Sequence, residues 1–161
     1  MISDETANFL ATGCALIVGA VTPDGSPFAA RGWGLDLELP DDPGARPPVA
    51  RLLLDAADMT ACASLGVGAA IAITATSVPT LRSVQLKGRV REVAGASDDD
   101  RARAARYCTM FEDDVVATDG VDPEVFRHII PDDYCVRVVD LEELYDQTPG
   151  PGAGGALRRP T

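Results

Sequence analysis

The sequence predicts a mainly β fold, a small and mostly antiparallel barrel with helices at its periphery. About six strand-like segments fall into two blocks, and one longer helix separates the last two strands. Strands and helices do not alternate regularly, so we do not expect a doubly wound parallel sheet. The 161 residues suit one domain, which we expect at residues 1–147. Residues 148–161 are so rich in glycine and proline that we expect a disordered tail.

The first block of strands follows a short helix at the start of the chain. An apolar run at residues 14–21 is too short for a typical helix and ends in a Pro-Asp-Gly turn, which indicates a buried strand in a hairpin. The second arm of that hairpin covers residues 27–37. Alternation places Arg31, Trp33 and Leu35 on one face of this arm, and two glycines on the other face permit strong bending.

The second block contains the best helix of the chain. Ser97 is a typical N-cap, and the three aspartates that follow it favour a helix start. Ala104, Cys108 and Phe111 then form one apolar helical face. The remaining elements are predicted as strands at residues 49–54, 69–77, 83–93 and 134–139, short helices at residues 58–65 and near Pro123, and a final turn at residues 141–145.

The charge balance and the cysteine pattern exclude several kinds of partner. Fourteen Lys and Arg residues against 25 Asp and Glu residues give a formal net charge of −11, so we expect no binding to nucleic acid or anionic membranes. No apolar run approaches the ~20 residues of a membrane span, and the acidic N-terminus does not resemble a signal peptide, which favours a cytoplasmic protein. With one histidine and no C-x-x-C pair, no metal site is expected. We expect four buried thiols, at Cys14, Cys62, Cys108 and Cys135.

The segment from residue 77 to residue 91 is the one that indicates chemistry. When it is analysed with the period of a strand, one face is apolar and belongs in the core. The other face is polar and points outwards, and its members are Ser83, Gln85, Lys87, Arg89 and Arg91. Four of the fourteen cations lie at residues 82–91 with no acid among them. Cations on one face repel each other, and a bound anion would relieve that repulsion.

The residues around this strand suit a phosphomonoester. Ser77 and Thr80 supply hydroxyls near the cations Arg82 and Lys87, and these are the donor types that a phosphate group needs. The Gln85 amide both donates and accepts hydrogen bonds, which suits the edge of a heteroaromatic ring. The alternative is an ordinary solvated strand face whose cations pair with surface acids, and the pattern alone leaves that alternative open.

The same segment resembles a motif of a known protein family. Residues 80–88, Thr-Leu-Arg-Ser-Val-Gln-Leu-Lys-Gly, are similar to the fifth-strand pattern T-x-R-x-x-Q-x-K-G of the pyridoxamine 5′-phosphate oxidase-like flavin-binding split barrels. The Asp-Gly-Ser-Pro hairpin at residues 24–27 and the strand that carries Arg31 fit the same family. The resemblance covers about residues 3–140.

The resemblance implies a six-stranded antiparallel split barrel that forms a homodimer, with FMN at the subunit interface. Arg82 and Lys87 would contact the FMN phosphate, with help from Ser77 and Thr80. Gln85 would face the isoalloxazine ring. These roles follow from the family motif and not from the strand pattern itself.

Two residues of the hairpin are further candidates for the cofactor site. Arg31 is a candidate for the phosphate or for the carbonyl groups of the flavin ring. Trp33 is predicted on the same face of the strand, so it is a candidate for stacking on the flavin. The alternative for Trp33 is packing in the core or in a dimer interface.

We therefore predict an FMN-dependent oxidoreductase that acts on an unidentified small molecule. The flavin carries the redox chemistry, so no acid–base pair is needed and no catalytic residue is assigned. The C-terminal part lacks the histidine- and tryptophan-containing segments with which the family's oxidases hold pyridoxal phosphate, so oxidation of vitamin B6 is not expected. The alternatives are a reductase that depends on the deazaflavin F420 and a non-catalytic flavin-binding or sensor protein.

Overall fold

The computed structural model describes residues 2–40 and 46–158. The elements are α1 (Asp4–Leu10), β1 (Ala15–Val21), β2 (Pro27–Glu38), β3 (Val49–Asp55), α2 (Met59–Ser64), β4 (Ala70–Thr76), β5 (Ser83–Gly95), α3 (Asp98–Asp119), a 3₁₀ helix (Pro123–His128), β6 (Tyr134–Asp146) and β7 (Ala156–Arg158). The strands pair in the order β3-β2-β1-β4-β5-β6-β7, and β3 also pairs with β6. This pairing closes a six-stranded antiparallel barrel, so the predicted fold class is confirmed.

Alternate residues of the strands fill the interior of the barrel. Leu16 and Val18 of β1, Leu52 of β3 and Ile73 of β4 are all fully buried in one apolar cluster. Val84, Leu86 and Val90 of β5 lie in the same cluster, which confirms that the apolar face of this strand belongs in the core. The polar face of β5 therefore lies on the outer wall of the barrel.

A bulge in β2 changes which residues face the core. Gly32 is opposite Leu54 while Gly34 is opposite Leu53, so Trp33 is an extra residue in β2. The prediction that Trp33 and Leu35 share a face with Arg31 is therefore wrong for Leu35, which lies inside the barrel at 1% exposure. Strict alternation fails here because a bulge places two residues of one strand against one residue of its partner.

A second apolar cluster lies between the barrel and α3. It joins Trp33 of β2 and Leu53 of β3 to Ala104 and Cys108 of α3. The helix begins as predicted, because Ser97 and Asp100 form a reciprocal capping box. Within residues 2–40 and 46–158, no helix combines the length and the apolar composition of a membrane span.

The end of the chain differs from its prediction. Residues 141–145 are not a turn but continue β6, because they pair with β5. The tail predicted to be disordered from residue 148 instead turns back at residues 149–154 and adds β7 to the free edge of β6. The physical reason is that β6 offers unpaired backbone groups there: the Asp146 N–H donates to the Gly155 carbonyl at 2.9 Å. Residues 159–161 of that tail lie outside the described residues.

Candidate functional site

The outer wall of the barrel carries a continuous row of side chains across five strands. The cross-strand partners are, in order, Arg31 of β2, Ile17 of β1, Thr74 of β4, Gln85 of β5 and Tyr145 of β6. Because directly paired residues of neighbouring strands point to the same side of a sheet, these five side chains all lie on the outer wall. The row brings two predicted site residues, Arg31 and Gln85, onto one surface.

The middle of this surface is apolar. Ile17 and Val21 are 52% and 57% exposed, although most apolar side chains of this size are buried. The neighbouring row passes through Gly19 and Ala72 to Lys87, and glycine and alanine leave the surface without projecting side chains. We call the surface formed by Ile17, Gly19, Val21 and Ala72 the outer platform. Exposed apolar patches of this kind mark sites where a ligand or another protein surface binds.

Polar groups border the platform on its β5 side. The Gln85 side-chain amide donates to the Thr74 hydroxyl at 3.0 Å. The Lys87 ammonium lies 4.7 Å from the centre of the Tyr145 ring, and the Tyr145 hydroxyl donates to the Glu143 carboxylate. Lys87 forms no salt bridge with any described residue. Its charge is therefore available to an anion beside the platform.

The other cations of this segment are paired with carboxylates. Arg82 lies 3.0 Å from Glu5, and its guanidinium stacks on the ring of Phe9 at 4.5 Å. Arg89 and Arg91 form salt bridges with acids of β6, at 3.5 and 3.0 Å. These three arginines therefore fit the alternative of an ordinary strand face whose cations pair with acids, whereas Lys87 does not fit it.

The predicted phosphate-binding hydroxyls lie in the turn between β4 and β5. The Thr80 hydroxyl donates to the Ser77 hydroxyl at 2.9 Å, and the Arg82 backbone N–H donates to the Thr80 oxygen at 3.3 Å. Leu81 has a positive φ of 59°, which reverses the chain sharply before β5 begins. The structure brings Ser77, Thr80 and Arg82 together near α1, but it does not bring Arg82 and Lys87 to a shared contact.

Arg31 and Trp33 lie at the opposite end of the row, beside α3. The Arg31 guanidinium is held between the rings of Trp33 and Phe111, at 4.7 and 4.4 Å. Its Nε is buried and has no hydrogen-bond partner among the described residues, and burial lowers the pKa of Arg31. Trp33 is only 7% exposed and belongs to the cluster under α3. In a single chain its ring therefore packs in the core, which was the alternative to stacking on a flavin.

The sequence pattern missed three residues of the row that runs from Arg31 to Tyr145. Ile17, Thr74 and Tyr145 lie on three different strands, and their signal is the register between strands, which local alternation does not contain. Once the strand pairing is known, Ile17, Thr74 and Tyr145 are found on the same outward-facing side of the sheet as Gln85.

Comparison with known proteins identifies the fold. No family model matches the chain, and no curated protein matches it significantly. HupZ from Group A Streptococcus is similar in structure, with a TM-score of 0.52, 15% identity, and coverage of 96% of this chain and 100% of HupZ. A Lactobacillus delbrueckii protein provisionally named a pyridoxamine 5′-phosphate oxidase has a TM-score of 0.50 and 17% identity, covering 89% of this chain and 92% of its own. The chain has the pyridoxamine 5′-phosphate oxidase-like split-barrel fold.

This result confirms the resemblance drawn from the sequence at the level of the fold. At 15% and 17% identity, the comparisons do not carry a function from one protein to the other. What this split barrel binds must be argued from its own outer platform and from the polar groups beside it.

Proposed function

We propose that this split barrel binds FMN on its outer platform and acts as an FMN-dependent oxidoreductase on a small molecule. The observation that carries the proposal is Lys87, a cation without a salt bridge to any described residue, next to Gln85 and beside an exposed apolar surface. In a protein of net charge −11, a cation of this kind next to an apolar platform suits a ligand that is both planar and anionic.

The residues of the site fit the parts of FMN. The platform offers an exposed apolar surface to the ring, and the Gln85 amide can exchange its bond to Thr74 for one to the polar ring edge. Lys87 supplies charge for the phosphate. Arg82 can join it, because its bond to Glu5 connects side chains that are 39% and 78% exposed, and such surface pairs contribute little.

The remaining candidates have defined tasks in this proposal. Ser77 and Thr80 offer hydroxyls to the phosphate near the β4–β5 turn, and the Nε of Arg31, which has no partner among the described residues, offers a donor at the far end of the row. Bound FMN supplies the electron-transfer chemistry, and the chain binds it, orients it and excludes water. Trp33 contributes by fixing Arg31 in place, since the two side chains stack at 4.7 Å.

The proposal includes a homodimer. A single barrel leaves Ile17 and Val21 about half exposed, so a ring lying on the platform would have solvent on its other face. A second copy of the chain can cover the platform and enclose the cofactor. Burial of these side chains stabilises such a contact by about 25 cal/mol for each Å² of apolar surface removed from water.

Reconstitution with FMN and F420 in parallel tests the function. We expect FMN to bind and its oxidised absorbance to disappear anaerobically when a nicotinamide donor is added. Binding of FMN without reduction or turnover of any supplied acceptor would support the flavin-binding or sensor alternative. Binding of F420 alone would support the deazaflavin alternative, and failure to bind either cofactor would contradict the proposal.

A further inference from the structure

Two cysteines that are distant in the sequence meet at the other end of the barrel wall. Cys62 lies in α2 and Cys135 is the second residue of β6, and their Sγ atoms are 3.4 Å apart. Both thiols are free and half-buried. The remaining two cysteines, Cys14 and Cys108, are buried. The sequence analysis predicted four buried hydrophobic thiols and did not foresee this pair.

The backbone on each side of the pair is held in place. Arg137, which is 2% exposed, donates from Nη2 to the Cys62 carbonyl at 3.2 Å and from Nε to the Leu65 carbonyl at 2.6 Å. These bonds fasten α2 to β6. Cys135 is itself fixed by its pairing with Leu54 of β3. The short Sγ–Sγ distance is therefore a property of the packed fold and not of two freely moving side chains.

We propose that Cys62 and Cys135 are a redox-active dithiol that forms a reversible intrachain disulfide. A disulfide has an S–S length of about 2.05 Å, so the two sulfurs need to approach by only about 1.4 Å from the 3.4 Å of the dithiol state. Rotation of the two side chains about their Cα–Cβ bonds can provide that movement while Arg137 keeps α2 on β6.

The oxidant is a small disulfide such as oxidised glutathione. One cysteine, as its thiolate, attacks a glutathione sulfur, which forms a mixed disulfide and releases one glutathione thiol. The second cysteine then attacks the mixed disulfide and releases the second glutathione. The protein loses two thiol hydrogens and two electrons, and both are recovered in two molecules of reduced glutathione. Burial raises the pKa of the Cys135 thiol, so this residue rests in its protonated form at neutral pH.

Oxidation is expected to stabilise the fold. The bond would close a loop between residues 62 and 135, and long closed loops restrict the unfolded chain most. We expect the midpoint of thermal unfolding to rise by about 5–15 °C. Dithiothreitol should reverse the change, because the same two thiols are restored.

Incubation of the purified full chain with oxidised glutathione tests the proposal. We expect titratable thiols under denaturing conditions to fall from four to two, and peptide mapping to join the peptides of Cys62 and Cys135 within one chain. In Cys135→Ser, Cys62 should retain one glutathione, because the second thiol that would release it is missing. The matched control with Cys14→Ser and Cys108→Ser should still form the bond. Four surviving thiols, a bond between two chains or a different pair would overturn the proposal. If a variant does not fold, the peptide map and the midpoint of thermal unfolding of the wild-type protein still decide whether the disulfide forms.

Discussion

Replacing Gly88 by alanine should weaken the barrel at the point where β5 presents its polar face. A Cβ atom at this position would lie 2.0 Å from the Asp140 carbonyl oxygen and 3.1 Å from Cγ1 of Val139. Gly88 adjoins a register shift between β5 and β6, where Lys87 is opposite Glu143 but Gly88 is opposite Leu141. The contact is with backbone, which cannot rotate away, so the two strands must separate.

The cost can be bounded from this geometry. Overpacking a well-filled site typically costs about 1–3 kcal/mol, and a backbone clash places Gly88→Ala at the upper end of that range. Gly95→Ala is the matched control, because Gly95 belongs to the same strand and a Cβ atom there would meet no described atom within 4 Å. Removing glycine flexibility there should be neutral or stabilise the fold by about 0.4–1 kcal/mol.

Urea unfolding and thermal unfolding of both variants measure the difference. The two variants should differ in stability by about 3–4 kcal/mol, and each kcal/mol shifts the midpoint of a chain of this size by about 2–4 °C. We therefore expect the Gly88→Ala variant to unfold about 6–16 °C below the Gly95→Ala variant. Equal midpoints for the two variants would refute the close approach of β5 and β6 at Gly88, and with it the register that orients Lys87.

The remaining predictions concern the capping of α3 and the outer platform. Asp100→Asn should lower the free energy of unfolding by about 2–4 kcal/mol, because the buried carboxylate accepts two bonds from Arg51 at 2.6 and 2.7 Å. Urea unfolding measures this loss beside the control Asp99→Asn, in which the replaced carboxylate is exposed. Equal losses of stability in the two variants would contradict the prediction. These bonds hold the pKa of Asp100 well below its ordinary value, so its contribution is complete above about pH 4 and decreases as the pH falls below that. The stability difference between wild type and Asp100→Asn, measured by urea unfolding from pH 7 to pH 2, should shrink in acid, and a constant difference would disprove the linkage. Sedimentation should show a dimer at micromolar concentration that Ile17→Lys converts to a monomer, whereas a monomeric wild type would refute the covered platform.

Local pattern was sufficient wherever a residue's neighbours along the chain decide its place. The alternation of β5 placed Val84, Leu86 and Val90 in the core, and the Ser97 cap marked the start of α3, as the structure confirms. The position of Leu35 was predicted wrongly, because the bulge at Trp33 depends on how β2 pairs with β3.

Features formed by distant segments could not be derived from local pattern. The strand β7 forms because β6 has a free edge. The glycine and proline content of the tail gives no information about that edge. Of the candidate site, the sequence selected Gln85 and Lys87, whereas Ile17 and Thr74 join them only through cross-strand register. The pairing of Cys62 with Cys135 likewise depends on the topology that brings α2 against β6.

Titration of FMN into wild type, Lys87→Ala and Arg89→Ala tests the central claim most directly. The two cations lie on the same face of β5, but Lys87 forms no salt bridge with a described residue while Arg89 is paired with Glu142. Losing one charge-assisted phosphate contact, roughly 1.5–3 kcal/mol, should weaken FMN binding in Lys87→Ala about ten- to a hundredfold, and Arg89→Ala should bind about as tightly as wild type. Equal affinities in all three proteins, or equal weakening in both variants, would contradict a phosphate site at Lys87.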